Sequence, residues 1–570
     1  MIRPLDTLPD DASYDLVVVG AGAAGMAAAL FAAIEKQRVL LVEHTEFVGG
    51  TSALSAGTVW IPNTLHAAEV EADDSFEKAA LYLTGVVGNH SQEVLRDAFL
   101  RSGPKAIEIL ETQTDVHFQP YRMHPDYEQQ VEGSTMRGRA LEAVPFDGRK
   151  LGGDLKYIRP PIPEFTLFGG MMVNRGDINH LLNARKSAAS FLHAAHLLTR
   201  YGIDRISGNR GTRLVMGNAL IGRMLLSLAK YGVDVQVNTS VREFVTNPSG
   251  VAGVVLESGG TRRRVLARRG VILATGGFNR HPRRRLEMLP APIPEWSPIA
   301  PGNTGAMQDL ALALGARFGT DNLDNAFWAP VSVRKRSDGS TAVFPHFAMD
   351  RSKPGTVCVN QAGHRFVNEA SSYHVFGRAM FHAHRTSPCI PCFMITDAAG
   401  LWKYGLGLVR MKTRNIAPYL EDGYLVEGQT VAELARKLQI DASTLEQTIA
   451  DMNRYAQEGV DPEFGRGTTA YHCFNGDVSR QPNPTLGPIA VAPYYAVRLY
   501  PGDIGAAAGL VTNEWAQVLN GNDEPIGHLY ACGNEANSIM GGTYPGPGVT
   551  LGPAIVFAYR AIQHICAMER

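Results

Sequence analysis

The chain has 570 residues, 45% of them hydrophobic and 19% charged, and carries a net charge of −1. That balance excludes a polyanion binder, so no nucleic-acid partner is expected, and no apolar run reaches the ~18 residues a spanning helix needs. At roughly 100–200 residues per domain, the length implies about two to four units. Six cysteines, Cys358, Cys389, Cys392, Cys473, Cys532 and Cys566, are scattered along the chain. Cys389 and Cys392 form a C-x-x-C with no second pair at zinc-site spacing, so a structural role and no metal are expected. This usage fits a reducing compartment. The N-terminal MIRPLDTLPDD lacks the apolar segment of a signal peptide, and a cytoplasmic location is expected.

Residues 16–19 form a short apolar run that predicts a strand buried on both faces. Gly20, Gly22 and Gly25 follow at G-x-G-x-x-G spacing, and Ala23 and Ala24 open a predicted helix over residues 23–36. Gly20 suits the tight turn, Gly22 the approach of backbone to a pyrophosphate, and Gly25 the packing of helix on strand. The helix start offers unpaired N–H groups and a partial positive charge to phosphates. A second apolar run, Val39–Val42, ends in Glu43, an acid placed at about the 20-residue spacing to accept from ribose hydroxyls. The whole predicts a βαβ dinucleotide-binding unit. Next come Gly49, Gly50, Thr51, Ser52, Ser55 and Gly57, small residues along which a longer cofactor portion could lie. This Glu-x5-Gly-Gly-Thr-Ser pattern resembles the flavoproteins of the fumarate reductase and ketosteroid dehydrogenase group. The resemblance implies FAD, held noncovalently because no His-Cys attachment motif is evident.

Further along, Ser55 to Asn63 with its Trp60-Ile61-Pro62-Asn63 end resembles a segment of the 3-ketosteroid Δ1-dehydrogenases, with Ala56 replacing a glycine. Two amphipathic helices are predicted over residues 75–110. His124-Pro125-Asp126-Tyr127, followed by Gly138-Arg139, resembles that family's Tyr-x-Asp-Tyr segment. Tyr127 matches its second tyrosine, and His124 stands in place of the first. Residues 181–213 read as an Ala/Leu-rich helix and a basic loop with Arg185, Lys186, Arg200, Arg205, Arg210 and Arg213. This insertion is either a solvated helix or a peripheral contact with a membrane surface holding lipid-like substrate.

A helix over 216–231, two strands and a hairpin lead to a hydrophobic strand ending in Ala274-Thr275-Gly276-Gly277, which in two-dinucleotide-fold flavoproteins returns to the cofactor. Gly302-Asn303-Thr304-Gly305 continues the pattern, without the Asp that relatives carry there. Residues 326–330 and 345–347 are expected to line an apolar cavity. Arg365-Phe366-Val367-Asn368-Glu369 is widespread in the flavoprotein group, and Tyr373 takes the place of a tyrosine in the ketosteroid branch. Paired scaffold helices are expected over 432–459. The strand at residues 529–534 is expected to deliver Gly533 and Asn534 to the ribityl chain. Then Tyr544-Pro545-Gly546-Pro547-Gly548-Val549-Thr550-Leu551-Gly552-Pro553-Ala554 resembles the most specific segment of the Δ1-dehydrogenases, a bent backbone ahead of a helix whose N–H groups can face one anion.

The resemblance implies an α/β protein: a Rossmann-like two-dinucleotide-fold FAD domain at 1–320 and 499–570, with an inserted α+β substrate domain at 321–498. It also implies a hydrophobic 3-ketosteroid substrate desaturated at C1–C2, with an unassigned electron acceptor. By family match the Tyr544 hydroxyl and Gly548 N–H hold the ketone oxygen, Tyr373 accepts the C2 proton, and Tyr127 assists it by donating a hydrogen bond. Besides Gly20, Gly22, Ala23, Ala24, Gly25, Glu43, Gly50, Thr51, Ser52, Ser55 and Gly57, the FAD contacts are expected from Ala274, Gly276, Gly533, Asn534, Thr550 and Leu551. Three alternatives stand beside this reading. A fumarate or urocanate reductase would need Arg and His on its substrate carboxylates. A 3-oxo-5α-steroid Δ4-dehydrogenase would show Tyr-x-Ser where Gly546 stands. A flavin-binding partner protein would need no placed tyrosines.

Overall fold

The computed structural model describes residues 2–208 and 210–568. It opens with β1 (Ala12–Val19), α1 (Ala23–Ile34) and β2 (Val39–Val42). Leu16, Val17 and Val18 are fully buried, as a strand covered on both faces requires. β3 (Asp234–Gln236), β4 (Ser240–Asn247), β5 (Gly250–Ser258) and β6 (Thr261–Leu273) complete one side of the first sheet, in the order β3-β2-β1-β6-β5-β4. Pairing is parallel from β3 through β6 and antiparallel across the β6-β5-β4 flank. α1 packs tightly here because Gly25 has no side chain: a Cβ there would lie 1.8 Å from the Gly20 carbonyl oxygen.

The second sheet is antiparallel and holds six strands. These are β7 (Ala326–Lys335), β8 (Thr341–Pro345), β9 (Thr356–Val359), β10 (Cys392–Asp397), β11 (Leu425–Gly428) and β12 (Tyr494–Ala506). The helix α2 (Tyr373–His384) lies against β7. β12 pairs with β7, β10 and β11, and its last residue, Ala506, still faces Ala326. The 498/499 boundary expected from sequence therefore cuts through this strand. The chain then returns to the first sheet through β13 (Gln517–Leu519) and β14 (Pro525–Ala531), the latter parallel to β6. It ends in α3 (Leu551–Ala567), which packs on α1. The expected scaffold helices are Val431–Leu438 and Ala442–Glu458.

The insertion forms the helices Arg175–Asn183 and Ala188–Ser207. Three of the basic residues expected in a loop are held by partners: Arg200 pairs with Asp147 at 2.8 Å, Arg213 with Asp177 at 2.8 Å, and Arg210 donates to the Ile158 carbonyl at 2.7 Å. The longer helix exposes apolar side chains beside polar ones: Phe191, Leu192 and Ile203 are 59%, 66% and 60% exposed. Among the described residues no helix is long and apolar enough to cross a membrane.

Candidate active site

A cavity of about 1140 Å³ is bordered by the C-terminal ends of β1 and β2, the segment after β6, and residues of the second sheet's side such as Phe344, Phe347 and Tyr373. The carboxyl ends of parallel strands are where doubly wound sheets hold nucleotides. Of the cofactor candidates named from sequence, Gly25, Gly49 and Gly277 do not line this cavity and the expected FAD contacts other than Gly25 all do; Gly25 lies behind Gly20 in the helix–strand contact. Glu43 is buried with one carboxylate oxygen accepting the Ala21 N–H at 3.0 Å, while the other accepts the Thr45 N–H and hydroxyl at 2.8 Å each. The start of α1 has no side-chain cap, and Ala23 N–H donates to Ser52 Oγ at 3.2 Å. The remaining first-turn donors keep their capacity for a diphosphate. Thr51 Oγ1 accepts from Ala300 N–H at 3.1 Å, and Asn303 Nδ2 donates to the Gly276 carbonyl at 2.8 Å. Strand ends, an uncapped helix and a buried ribose-type acceptor in one cavity fit FAD. Thr239, Ser240 and Val241 also line it near Glu43. They carry no nucleotide-binding motif, so the sequence did not point to them.

At the second sheet's side the cavity meets three buried tyrosines from three distant segments. The Tyr127 and Tyr373 hydroxyls are in hydrogen-bond contact at 3.2 Å. The Tyr544 ring stacks on Tyr127 at 5.9 Å and meets Tyr373 nearly edge-on at 5.1 Å. Gly548 completes the group. Its φ of +93° and the 2.4 Å separation between a hypothetical Cβ and the Thr58 carbonyl oxygen restrict the position to glycine. Its carbonyl accepts from Trp60 N–H at 3.2 Å and Gly552 N–H at 2.9 Å, while its own N–H has no acceptor among the described residues.

Each tyrosine is held from outside the cluster. Tyr127 N–H donates to the Pro545 carbonyl at 2.8 Å, and Tyr82 Oη donates to the same oxygen at 2.6 Å. Next to Tyr127, Asp126 accepts from Trp60 Nε1 at 2.8 Å and from Arg139 at 2.7 Å, and Arg139 reaches on to Asp74 at 2.6 Å. Trp60, from the segment of least obvious purpose in the sequence, thus ties the Tyr127 loop to the Tyr544 loop. Tyr373 is the first residue of α2, whose N-cap Ser372 accepts from Val375 N–H.

Burial pushes all three phenols above their ordinary range. Desolvation is the largest cause for each. For Tyr373 the neighbouring phenols Tyr127 and Tyr544 add to it; for Tyr127 the fields of Tyr471 and Tyr544 add while hydrogen bonding with Tyr373 offsets part; for Tyr544 hydrogen bonding with Tyr373 and Thr550 partly offsets it. His374 beside Tyr544 is pushed down to about 3, again by burial, and is neutral.

Tyr471, 4.7 Å from Tyr127, also lines the cavity and had no motif to mark it. The expected apolar lining is half right. Pro345 and Phe347 face the cavity, whereas residues 326–330 and His346 do not. Phe327 instead supports Tyr544 from behind at 5.2 Å, and His346 is held by Asp350 and Ser332 at 2.5 and 2.7 Å.

A model of the FAD binding domain family matches residues 15–551. The chain is 35% identical over 557 residues to a 4-oxocyclohex-2-ene-1-carboxylate 5-dehydrogenase of Sinomonas cyclohexanicum, covering 97% of this chain and 94% of that protein. It is 34% identical over 564 residues to a 3-oxosteroid 1-dehydrogenase of Mycobacterium tuberculosis, covering 97% and 98%. The crystal structure of 3-ketosteroid Δ1-dehydrogenase from Sterolibacterium denitrificans in complex with 1,4-androstadiene-3,17-dione matches with a TM-score of 0.91 at 34% identity, over 98% of this chain and all of that one. The chain belongs to the FAD-dependent dehydrogenase family that includes the 3-oxosteroid 1-dehydrogenases, and FAD is its cofactor.

Proposed function

We propose that this dehydrogenase introduces the C1=C2 double bond into a 3-ketosteroid, with a hydride leaving C1 and a proton leaving C2 from opposite faces. The observation that carries the reading is the contact between the Tyr127 and Tyr373 hydroxyls, with Tyr544 packed against both, in the cavity that also holds the cofactor wall. FAD supplies the hydride acceptor when bound. Tyr544 Oη and Gly548 N–H donate to the C3 ketone oxygen, which gains negative charge as C2 loses its proton. One such donor is worth ~2.7–4 kcal/mol in the transition state. Tyr373 Oη takes the C2 proton. Because burial disfavours its ionised form, Tyr373 gives its own proton to solvent before the step, and the Tyr127 hydroxyl, which donates to Tyr373 Oη at 3.2 Å, is placed to hold the phenolate by that hydrogen bond. The apolar lining excludes water that would compete for the ketone oxygen.

Mixing the FAD-loaded protein with a Δ4-3-ketosteroid and an artificial electron acceptor tests this reading. A product two mass units lighter, with the new bond at C1–C2, is expected. An unchanged steroid sinks the proposal. A 5α-saturated substrate desaturated at C4–C5 would favour the Δ4 alternative, against which Gly546 argues. A Cβ there would lie 2.5 Å from Trp60 Nε1, leaving no room for the serine of that pattern. The electron acceptor remains to be assigned by assay. The exposed face of Phe191, Leu192 and Ile203 supports a peripheral membrane contact, which co-sedimentation with liposomes tests; recovery of all protein in the supernatant rules it out.

A further inference from the structure

We propose that the cavity ends in a carboxylate subsite made by Arg175 and Lys353, and that the substrate is a ring ketone bearing a carboxylate at the end of the molecule remote from the ketone. This rests on the ketone-desaturating reading above and narrows its substrate class.

The carboxylates and cations lining the substrate end of the cavity are equal in number but are not paired with one another. Glu142 accepts from Gln119 at 2.7 Å, Glu164 is bidentate on Arg336 at 2.7 and 2.9 Å, and Asp350 meets His346 at 2.5 Å. Arg410, also at this end, donates to the carbonyls of Glu164 and Thr166 at 3.0 and 2.5 Å. Arg175 lines the same space with no hydrogen-bond or ion-pair partner among the described residues. Its guanidinium lies 4.5 Å over the Phe474 ring, which orients the planar fork without using its donors. Lys353 Nζ gives two of its three donors to the carbonyls of Asn475 and Gly476, both at 2.8 Å, and meets no carboxylate within ion-pair distance among the described residues. Burial, and after it the field of Arg175, pulls Lys353 down to about 8, so the two cations sense each other. A carboxylate between them would relieve that repulsion and receive a bidentate charge-assisted contact.

The subsite is continuous with the phenol cluster. From Tyr127 the aromatic floor passes to His124 at 6.5 Å and to Phe474 at 5.4 Å, where Arg175 sits. His124 Nδ1 is buried with no partner among the described residues, a further polar atom awaiting a ligand on this path. The His124 position, where the resembling family has a tyrosine, is therefore part of what distinguishes this cavity.

Two scaffolds share this chemistry, a small oxocyclohexanecarboxylate and a 3-oxosteroid with a carboxylated side chain. Each is assayed as the free acid and as its methyl ester, beside a neutral 3,17-diketosteroid, with wild type, Arg175→Met and Arg175→Lys. For one scaffold, kcat/KM for the acid is expected to exceed that for the ester by about tenfold or more. Arg175→Met should lose that preference through KM with kcat within about twofold, and Arg175→Lys should keep part of it. The scaffold that shows the preference identifies the source. Equal use of acid and ester, or equal loss for both in Arg175→Met, overturns the subsite while leaving ketone desaturation standing. If no ring ketone is oxidised, the functional reading fails. Titration of flavin absorbance with acid and ester then still decides the subsite: tighter binding of the acid, abolished in Arg175→Met, supports it, and equal binding overturns it.

Discussion

Glu369 and Tyr373 stand four residues apart, yet they belong to opposite kinds of buried site. Glu369 accepts from Arg365 at 3.0 and 2.9 Å, from Arg466 at 3.1 Å and from Cys358 N–H at 3.2 Å, and Asp461 shares Arg365 at 2.8 Å. Burial alone would raise its pKa, but the two guanidiniums hold it below the ordinary carboxylate range. Around Tyr373 there is equal burial and no counter-charge, only other phenols, and its pKa goes up. The first region is a closed ionic anchor. It fixes the loop leading to α2, helped by Arg351, which donates to the carbonyls of Glu369 and Ser371. The second is uncharged at rest, and its Gly548 N–H has no acceptor among the described residues. A site built to hold a transient oxyanion benefits from that incompleteness, because its donors are not already neutralised. The rigid anchor is what lets the unsatisfied cluster keep its geometry.

Substitutions that strike one region and spare the other break this comparison apart. The largest effect is expected from Tyr373→Phe: turnover falls by about 10²–10⁴, the range for a general base, while the flavin spectrum is retained. Glu369→Ala leaves two buried guanidiniums without their acid and is expected to cost about 3–5 kcal/mol in denaturant unfolding of the FAD-loaded protein. Tyr373→Phe should be far milder in that measurement. Tyr544→Phe removes one oxyanion donor, and kcat is expected to fall about 10²–10³-fold with the stability of the ionic anchor unchanged. Tyr127→Phe removes the hydrogen bond that Tyr127 donates to Tyr373 but neither the base nor an oxyanion donor. A loss of roughly tenfold at neutral pH is expected, smaller than for either partner. If Tyr127→Phe is as damaging as Tyr373→Phe, the two act as a unit rather than as base and helper.

The cofactor wall was readable from the chain because its signals are local. Gly20, Gly22, Gly25 and Glu43 lie within one βαβ unit whose spacing has a direct physical meaning. Tyr127, Tyr373 and Tyr544 were readable only through resemblance of their flanking segments, since nothing local says that three such segments converge. What escaped notice depends on long-range packing. Tyr471 sits in the short helix Ala470–Asn475 with no motif, and Phe327 lies behind Tyr544 rather than in the cavity. The Asp74–Arg139–Asp126–Trp60 chain links residues that no periodicity relates. The 498/499 boundary falls inside β12 because an apolar alternating run carries no mark of which sheet it joins. Arg175 lies in no motif and outside the 181–213 insertion; its place over Phe474 separates it from Arg200 and Arg213, which are paired.

The central claim is that Tyr373, a buried phenol uncharged at rest, performs the proton abstraction as its phenolate, and the pH dependence of kcat tests it most directly. With Tyr373 raised above the usual phenol value of ~10, the reactive phenolate fraction grows about tenfold per pH unit throughout the accessible range. The log of kcat should therefore climb with pH without levelling off below about pH 10, and Tyr373→Phe should abolish the climb. A plateau near neutral pH that survives in Tyr373→Phe would contradict the account.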